Sequence, residues 1–171
     1  LHVIRSHETG IFIMDANTTF EASQLNISET KEASCAIQGT CEYLGGFGDG
    51  MVVLGGAGVN LSDFSIKENS RIGLFLASAD GTEFTSVSGI PTFEGKEGEV
   101  VENKYGVTMW GIELDSQGIQ MENLACFDNA STVDGCMPAQ SMVVCALSTF
   151  KSLVHPKKLR ISLAKKKTNA C

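Results

Sequence analysis

One pattern recurs along this chain and limits its folding more than any other feature. Four glycines each open an apolar burst: Gly10 before Ile11-Phe12-Ile13-Met14, Gly50 before Met51-Val52-Val53-Leu54, Gly73 before Leu74-Phe75-Leu76, and Gly106 before Val107-Thr108-Met109-Trp110. After three of them, apolar residues stand at relative offsets 0, 2, 5 and 7. The sets are Phe20, Ala22, Leu25, Ile27; Val59, Leu61, Phe64, Ile66; and Ile119, Met121, Leu124, Cys126. Three residues beyond the last of each set come Thr30, Asn69 and Asn129. A further copy shows only its end, Val100 before Asn103 and Gly106, and the first residues, Val3 and Ser6 before Gly10, read as the end of another.

Two apolar residues spaced by two point to one face of a strand. The jump from offset 2 to offset 5 needs a bend inside the strand, which suits a chain turning a corner and not a hairpin. The glycines and β-branched residues argue against helix. Spacings of 40, 23 and 33 between the anchor glycines fit a unit of 23 residues with insertions. Two stretches are read as insertions that leave the repeat: 31–49, bearing Cys35 and Cys41, and 90–99, rich in glycine and glutamate. With 171 residues the chain is expected to form one core, and its 18 glycines against 3 prolines mark many tight turns.

The stretches 50–77 (GMVVLGGAGVNLSDFSIKENSRIGLFLA) and 10–30 (GIFIMDANTTFEASQLNISET) carry a resemblance to the right-handed parallel β-helix. The chain looks most like the secreted β-helical repeat proteins of bacteria over roughly its first 130 residues. The likeness implies an all-β, single-stranded, right-handed parallel β-helix of about four to five rungs, with loop insertions and a C-terminal strand or cap. The repeat domain would span 1–136, and 137–171 would form a cap or assembly segment with a basic tail. Each strand would pair with its equivalent one rung away, around a stack of aliphatic and aromatic side chains. Asn69, Asn103 and Asn129 would share one corner as a structural ladder.

Six cysteines, Cys35, Cys41, Cys126, Cys136, Cys145 and Cys171, and four Asn-x-Ser/Thr sequons, at Asn17, Asn26, Asn60 and Asn129, point to secretion or the cell surface. The favoured pairing, among the 15 that six cysteines allow, is Cys35/Cys41, Cys126/Cys136 and Cys145/Cys171. No pair has the spacing of a zinc or redox site, so neither metal nor cofactor is expected. The longest apolar run, 51–59, is nine residues with three glycines, which is too short to span a bilayer. With neither initiator Met nor signal peptide, the chain is read as a processed or truncated form.

Parallel β-helices often act on polysaccharides, which calls for paired carboxylates on one face or a base beside a calcium–carboxylate cluster. The candidate acids are Asp63, Glu83, Glu113, Asp115 and Asp128, with Glu113 and Asp115 able to pair on one side of a strand. Asp63 falls at the bend between core positions and faces solvent. Tight Asp-Asp and Gly-His-Gly signatures are missing, so a solvated acidic surface is the preferred reading. His2, His7 and His155 come with no Gly-x-Ser-x-Gly turn, and the glycine pairs at 45–46 and 55–56 lack a following Gly-Lys-Ser/Thr. Trp110 and Phe93 could stack on a sugar, but packing is the commoner use.

Charge is divided sharply. Residues 1–150 hold all 20 acids and 6 of the 13 bases, a net −14; residues 151–171 hold seven bases and no acid, a net +7. An acidic body and a short cationic tail without aromatics make a poor nucleic-acid surface. The tail follows apolar stretches at 142–147 and 159–163. One reading has residues 137–171 capping their own stack. The other has a C-terminal strand (Leu159, Arg160, Ile161) pairing with the first rung of a second copy, with Lys165, Lys166 and Lys167 meeting its acidic body. The function expected is a non-enzymatic, self-associating structural or adhesive protein. The alternative is a polysaccharide-binding or polysaccharide-degrading one that uses Glu113, Asp115 and Asp63.

Overall fold

The computed structural model describes residues 1–32, 48–78, 89–110, 112, 118–126 and 129, and the backbone of a strand at Ser141–Val143. The chain visits two sheets alternately. The first contains β1 (His2–Ile4), β3 (Thr19–Ser28), β5 (Gly58–Lys67), β7 (Thr92–Val101) and β9 (Ile119–Ala125), stacked in that order and all parallel. The second contains β2 (Thr9–Met14), β4 (Asp49–Leu54), β6 (Ile72–Ala77) and β8 (Tyr105–Trp110), also parallel, with β10 (Ser141–Val143) antiparallel on β8. Each winding therefore adds one strand to each sheet, and the predicted pairing of each strand with its equivalent one unit away is what the registers show. Among the described residues there is no helix.

The offset pattern is the register itself. Leu25 pairs with Phe64, Phe64 with Gly98 and Gly98 with Leu124, so each offset becomes a column through the stack. The jump between offsets 2 and 5 is made by one left-handed residue per strand: Gln24, Asp63, Glu97 and Asn123, with φ of 54°, 53°, 52° and 53°. A second left-handed column, Arg5, Glu29, Glu68 and Glu102 with φ of 59°, 58°, 55° and 57°, turns the chain toward the second sheet.

The very next position after that turn forms the ladder. Thr30 N donates to Asn69 Oδ1 at 3.1 Å, Asn69 N to Asn103 Oδ1 at 3.0 Å, and Asn103 N to Asn129 Oδ1 at 3.0 Å. The amide nitrogens continue the chain, Asn69 Nδ2 to Asn103 Oδ1 at 2.8 Å and Asn103 Nδ2 to Asn129 Oδ1 at 3.2 Å. All three asparagines are buried, so this corner satisfies backbone groups that water does not reach. The anchor glycines pack directly on the ladder. A Cβ at Gly50 would lie 2.7 Å from Asn69 Nδ2 and 2.6 Å from Ile66 Cγ2; one at Gly73 would lie 2.7 Å from Asn103 Nδ2 and 2.5 Å from Val100 Cγ1. Glycine recurs there because the corner of the neighbouring winding occupies the space of a side chain.

Both proposed insertions need correction. Residues 90–99 do not leave the repeat as an insertion: most of that stretch belongs to β7, paired along its length with β5 and β9. Its offsets 0, 2, 5 and 7 are Phe93, Gly95, Gly98 and Val100. The two glycines leave interior space that aromatic rings fill. A Cβ at Gly98 would sit 2.2 Å from Phe64 Cε1, and one at Gly95 2.7 Å from Phe93 Cε1. Phe64 and Phe93 meet edge to face, centroids 6.3 Å apart at 84°. The other proposed insertion is also shorter than 31–49, since Lys31 bridges to His7 and Asp49 belongs to β4.

The core has a second part. Alternate side chains of the short strands point inward, as a spacing of two requires, and the opposite face is buried too. β4 and β6 are buried at every residue. One face contributes Met51, Val53, Leu74, Leu76, Val107 and Met109 to the main core; the other forms a separate cluster of Val52, Leu54, Ile72, Phe75, Ala77 and Tyr105. Trp110 stacks on Phe75 there, centroids 6.5 Å apart at 9°, and Phe93 is wholly buried, so Phe93 is a packing element and not a sugar platform. Beside that cluster, Arg71 grips Asp49 through one edge of its guanidinium, Nε donating to Oδ1 at 2.7 Å and Nη2 to Oδ2, and Ile72 N donates to Oδ1 at 3.2 Å. Both side chains are buried, 7% and 0% exposed.

Candidate functional site: the polar face of the first sheet

The outward residues of the first sheet are polar and fall in rows set by the register. Glu21, Asn60, Glu94 and Gln120 make one row, and Ser23, Ser62, Lys96 and Glu122 the next. Beyond the left-handed column comes a further row, His2, Asn26, Ser65, Glu99 and Ala125. Neighbouring members of a row are separated by one strand spacing, about 4.8 Å. The face is thus a ruled surface whose geometry the buried ladder and core hold fixed.

Two shallow grooves run on it. The first, about 580 Å³, is lined by Gln24, Asn26, Asp63, Ser65, Glu97 and Glu99, with His2 and Ala125 at its ends. Ser65 Oγ donates to Glu99 at 2.7 Å, and Asn26 Oδ1 is buried with no hydrogen-bond donor. The second, about 500 Å³, is lined by Glu21, Ser23, Asn60, Ser62, Glu94 and Lys96. Each of its acids has a side-chain partner: Lys96 Nζ meets Glu94 at 2.6 Å, and Asn60 Nδ2 reaches Glu21 at 3.5 Å. The hydrogen bond to Glu94, and then its charge, hold the Lys96 ammonium above its ordinary value. At the adjacent corner Arg5 Nε donates to Glu29 at 2.8 Å, and this bond and its charge hold the Glu29 carboxyl below its ordinary range.

Asp63 lies where the sequence places it, exposed on this face at the bend, and it lines the first groove. Glu97 and Glu99, which sequence reasoning passed over inside a supposed loop, lie beside it. The apolar pair flanking β7's two glycines, Phe93 and Val100, was the signal that could have found them. Glu83, Glu113, Asp115 and Asp128 lie outside the described residues, as do Leu159, Arg160, Ile161, Lys165, Lys166 and Lys167. No group of three or more His, Cys, Asp or Glu is arranged as metal ligands among the described residues.

The sequons separate into distinct environments. Asn17 is exposed in the turn before β3 and Asn60 is exposed on the polar face, whereas Asn26 is half-buried. Asn129 is 1% exposed and its Nδ2 donates to Val100 O at 2.9 Å, so the nitrogen a glycan would occupy is already used inside the stack. Cys126 is disulfide-bonded, and the other five cysteines lie outside the described residues. No helix among the described residues is long and apolar enough to cross a membrane. Comparison with protein families, with characterised proteins and with solved structures found no match to this chain.

Proposed function

We propose that this chain is a non-enzymatic, secreted, disulfide-stapled right-handed parallel β-helix with a structural or adhesive role outside the cell. The right hand is the one that parallel crossover connections adopt almost without exception. The observation that carries the function is the first sheet's outer face: rows of amide, hydroxyl and carboxylate groups at fixed spacing, open and shallow, on a rigid stack. Such a face suits repeated contacts along an extended partner better than sequestering a small substrate. Head-to-tail association is part of the proposal. β1 and β2 lie at outer edges of their sheets, and Leu1, Ile4 and Phe12, at 61%, 52% and 48%, are large apolar residues exposed there. The partner strand would be the one carrying Leu159, Arg160 and Ile161.

The grooves favour a second reading, polysaccharide binding, with the groove around Asn60, Ser62 and Lys96 offering both donors and acceptors to sugar hydroxyls. Screening immobilised neutral and acidic glycans with the full chain tests both readings. The adhesive reading expects binding with no cleavage, weakened by Asn60→Ala with Lys96→Ala. Release of shortened glycan would overturn it and would favour a degrading enzyme.

A further inference from the structure

The two grooves differ in charge balance. In the second, each acid has a partner. In the first, Asp63, Glu97 and Glu99 stand together with no lysine or arginine among the lining residues, and Asp63 and Glu97 have no hydrogen bond or ion pair among the described residues. The buried, donorless Asn26 Oδ1 adds a further acceptor. The side chains lining this groove include no cationic lysine or arginine donor. The chain does contain a set of such donors: seven cations and no acid in residues 151–171.

The groove opens at His2 on β1, the outermost strand of the first sheet, and runs across β3, β5 and β7 to Ala125 on β9. Five strands at about 4.8 Å make it about 19 Å long, which about six extended residues cover. A strand through Leu159–Ile161 that added to β1 of another copy would place Lys165, Lys166 and Lys167, four to six residues later, along that length. We infer that the groove from His2 to Ala125 is the seat for residues 162–167 of a second copy of this chain. The inference rests on the head-to-tail reading and names where the cationic segment lands. Ion pairing there steers and registers the association more than it drives it, and salt weakens it.

The test uses the full chain. Isotopically light and heavy protein are mixed at high concentration and treated with a carbodiimide, which joins only touching amines and carboxylates. The expected product links Lys165, Lys166 or Lys167 to Asp63, Glu97 or Glu99 in mixed light–heavy peptide pairs. Links confined to same-isotope pairs would assign the groove to the chain's own tail and overturn the inference. So would mixed links that fall on Glu29, Glu68 or Glu102 instead. As a second measurement, Glu97→Gln with Glu99→Gln should weaken association about tenfold in sedimentation equilibrium, while Glu68→Gln with Glu102→Gln leaves it unchanged. Association that persists unaltered in both refutes the groove alone. A chain that stays monomeric refutes the head-to-tail reading with it.

Discussion

Replacing Asn103 with alanine tests the ladder at its best-connected rung. The side chain accepts from Asn69 N at 3.0 Å and Asn69 Nδ2 at 2.8 Å, and it donates to Ile66 O at 3.2 Å, Val101 O at 2.9 Å and Asn129 Oδ1 at 3.2 Å. At 2% exposure, water is not positioned to replace it. Truncation leaves the Asn69 N–H without an acceptor, which costs roughly 1–3 kcal/mol for a buried donor, and it removes amide bonds worth about 1 kcal/mol each. The combined loss is about 3–5 kcal/mol, a large part of the roughly 5–15 kcal/mol that holds a domain together. Urea unfolding followed by far-ultraviolet circular dichroism reads it as a lower midpoint. Asn60→Ala, which loses one long exposed hydrogen bond to Glu21, should change stability by less than about 0.5 kcal/mol. If Asn103→Ala cost no more than Asn60→Ala, the ladder would not be what closes this corner.

Further outcomes follow from the same packing. Gly98→Ala should cost about 1–3 kcal/mol because its Cβ enters the Phe64 ring, and Phe64→Leu in the same chain should recover part of that loss, a coupling that a double-mutant cycle reads. Arg71→Met leaves the buried Asp49 carboxylate uncompensated and should cost about 3–5 kcal/mol, whereas adding Asp49→Leu should restore much of it, as denaturant midpoints would show. Glu97→Gly relieves a left-handed, exposed glutamate and should stabilise by about 0.5–1 kcal/mol by the same assay. Glu29 has a folded-state pKa below its ordinary 4.5, so the Arg5 contact stabilises the chain above that pH and is lost as pH falls through the folded value. Arg5→Gln should therefore lower stability slightly at neutral pH and leave it unchanged in strong acid, which paired pH titrations of unfolding would check.

The stack was legible where a side chain marks its column. The offsets 0, 2, 5 and 7 in β3, β5 and β9 name the interior residues, and Asn69, Asn103 and Asn129 name the corner, because these positions are filled by residues whose type reports their surroundings. β7 was illegible for a physical reason: Gly95 and Gly98 occupy interior positions whose volume is supplied by Phe64 and Phe93, and a hydrophobic pattern cannot see space filled from elsewhere. β4 and β6 did carry a signal. Met51-Val52-Val53-Leu54 and Leu74-Phe75-Leu76-Ala77 are unbroken apolar runs, which mark strands buried on both faces. The Asp49–Arg71 pair joins residues 22 positions apart and left no local trace. Of the candidate face, Asp63 was readable from its place at the bend. Glu97 and Glu99 had only Phe93 and Val100 to mark their strand, and the pairing of β7 with β5 places them on the face.

Electron microscopy of the purified chain at high concentration tests the proposed function most directly. Head-to-tail stacking predicts unbranched fibres one molecule thick, which shorten as salt rises and disappear when Lys165, Lys166 and Lys167 are replaced by glutamate. Isolated particles at every concentration and salt would contradict the account of a self-associating structural protein.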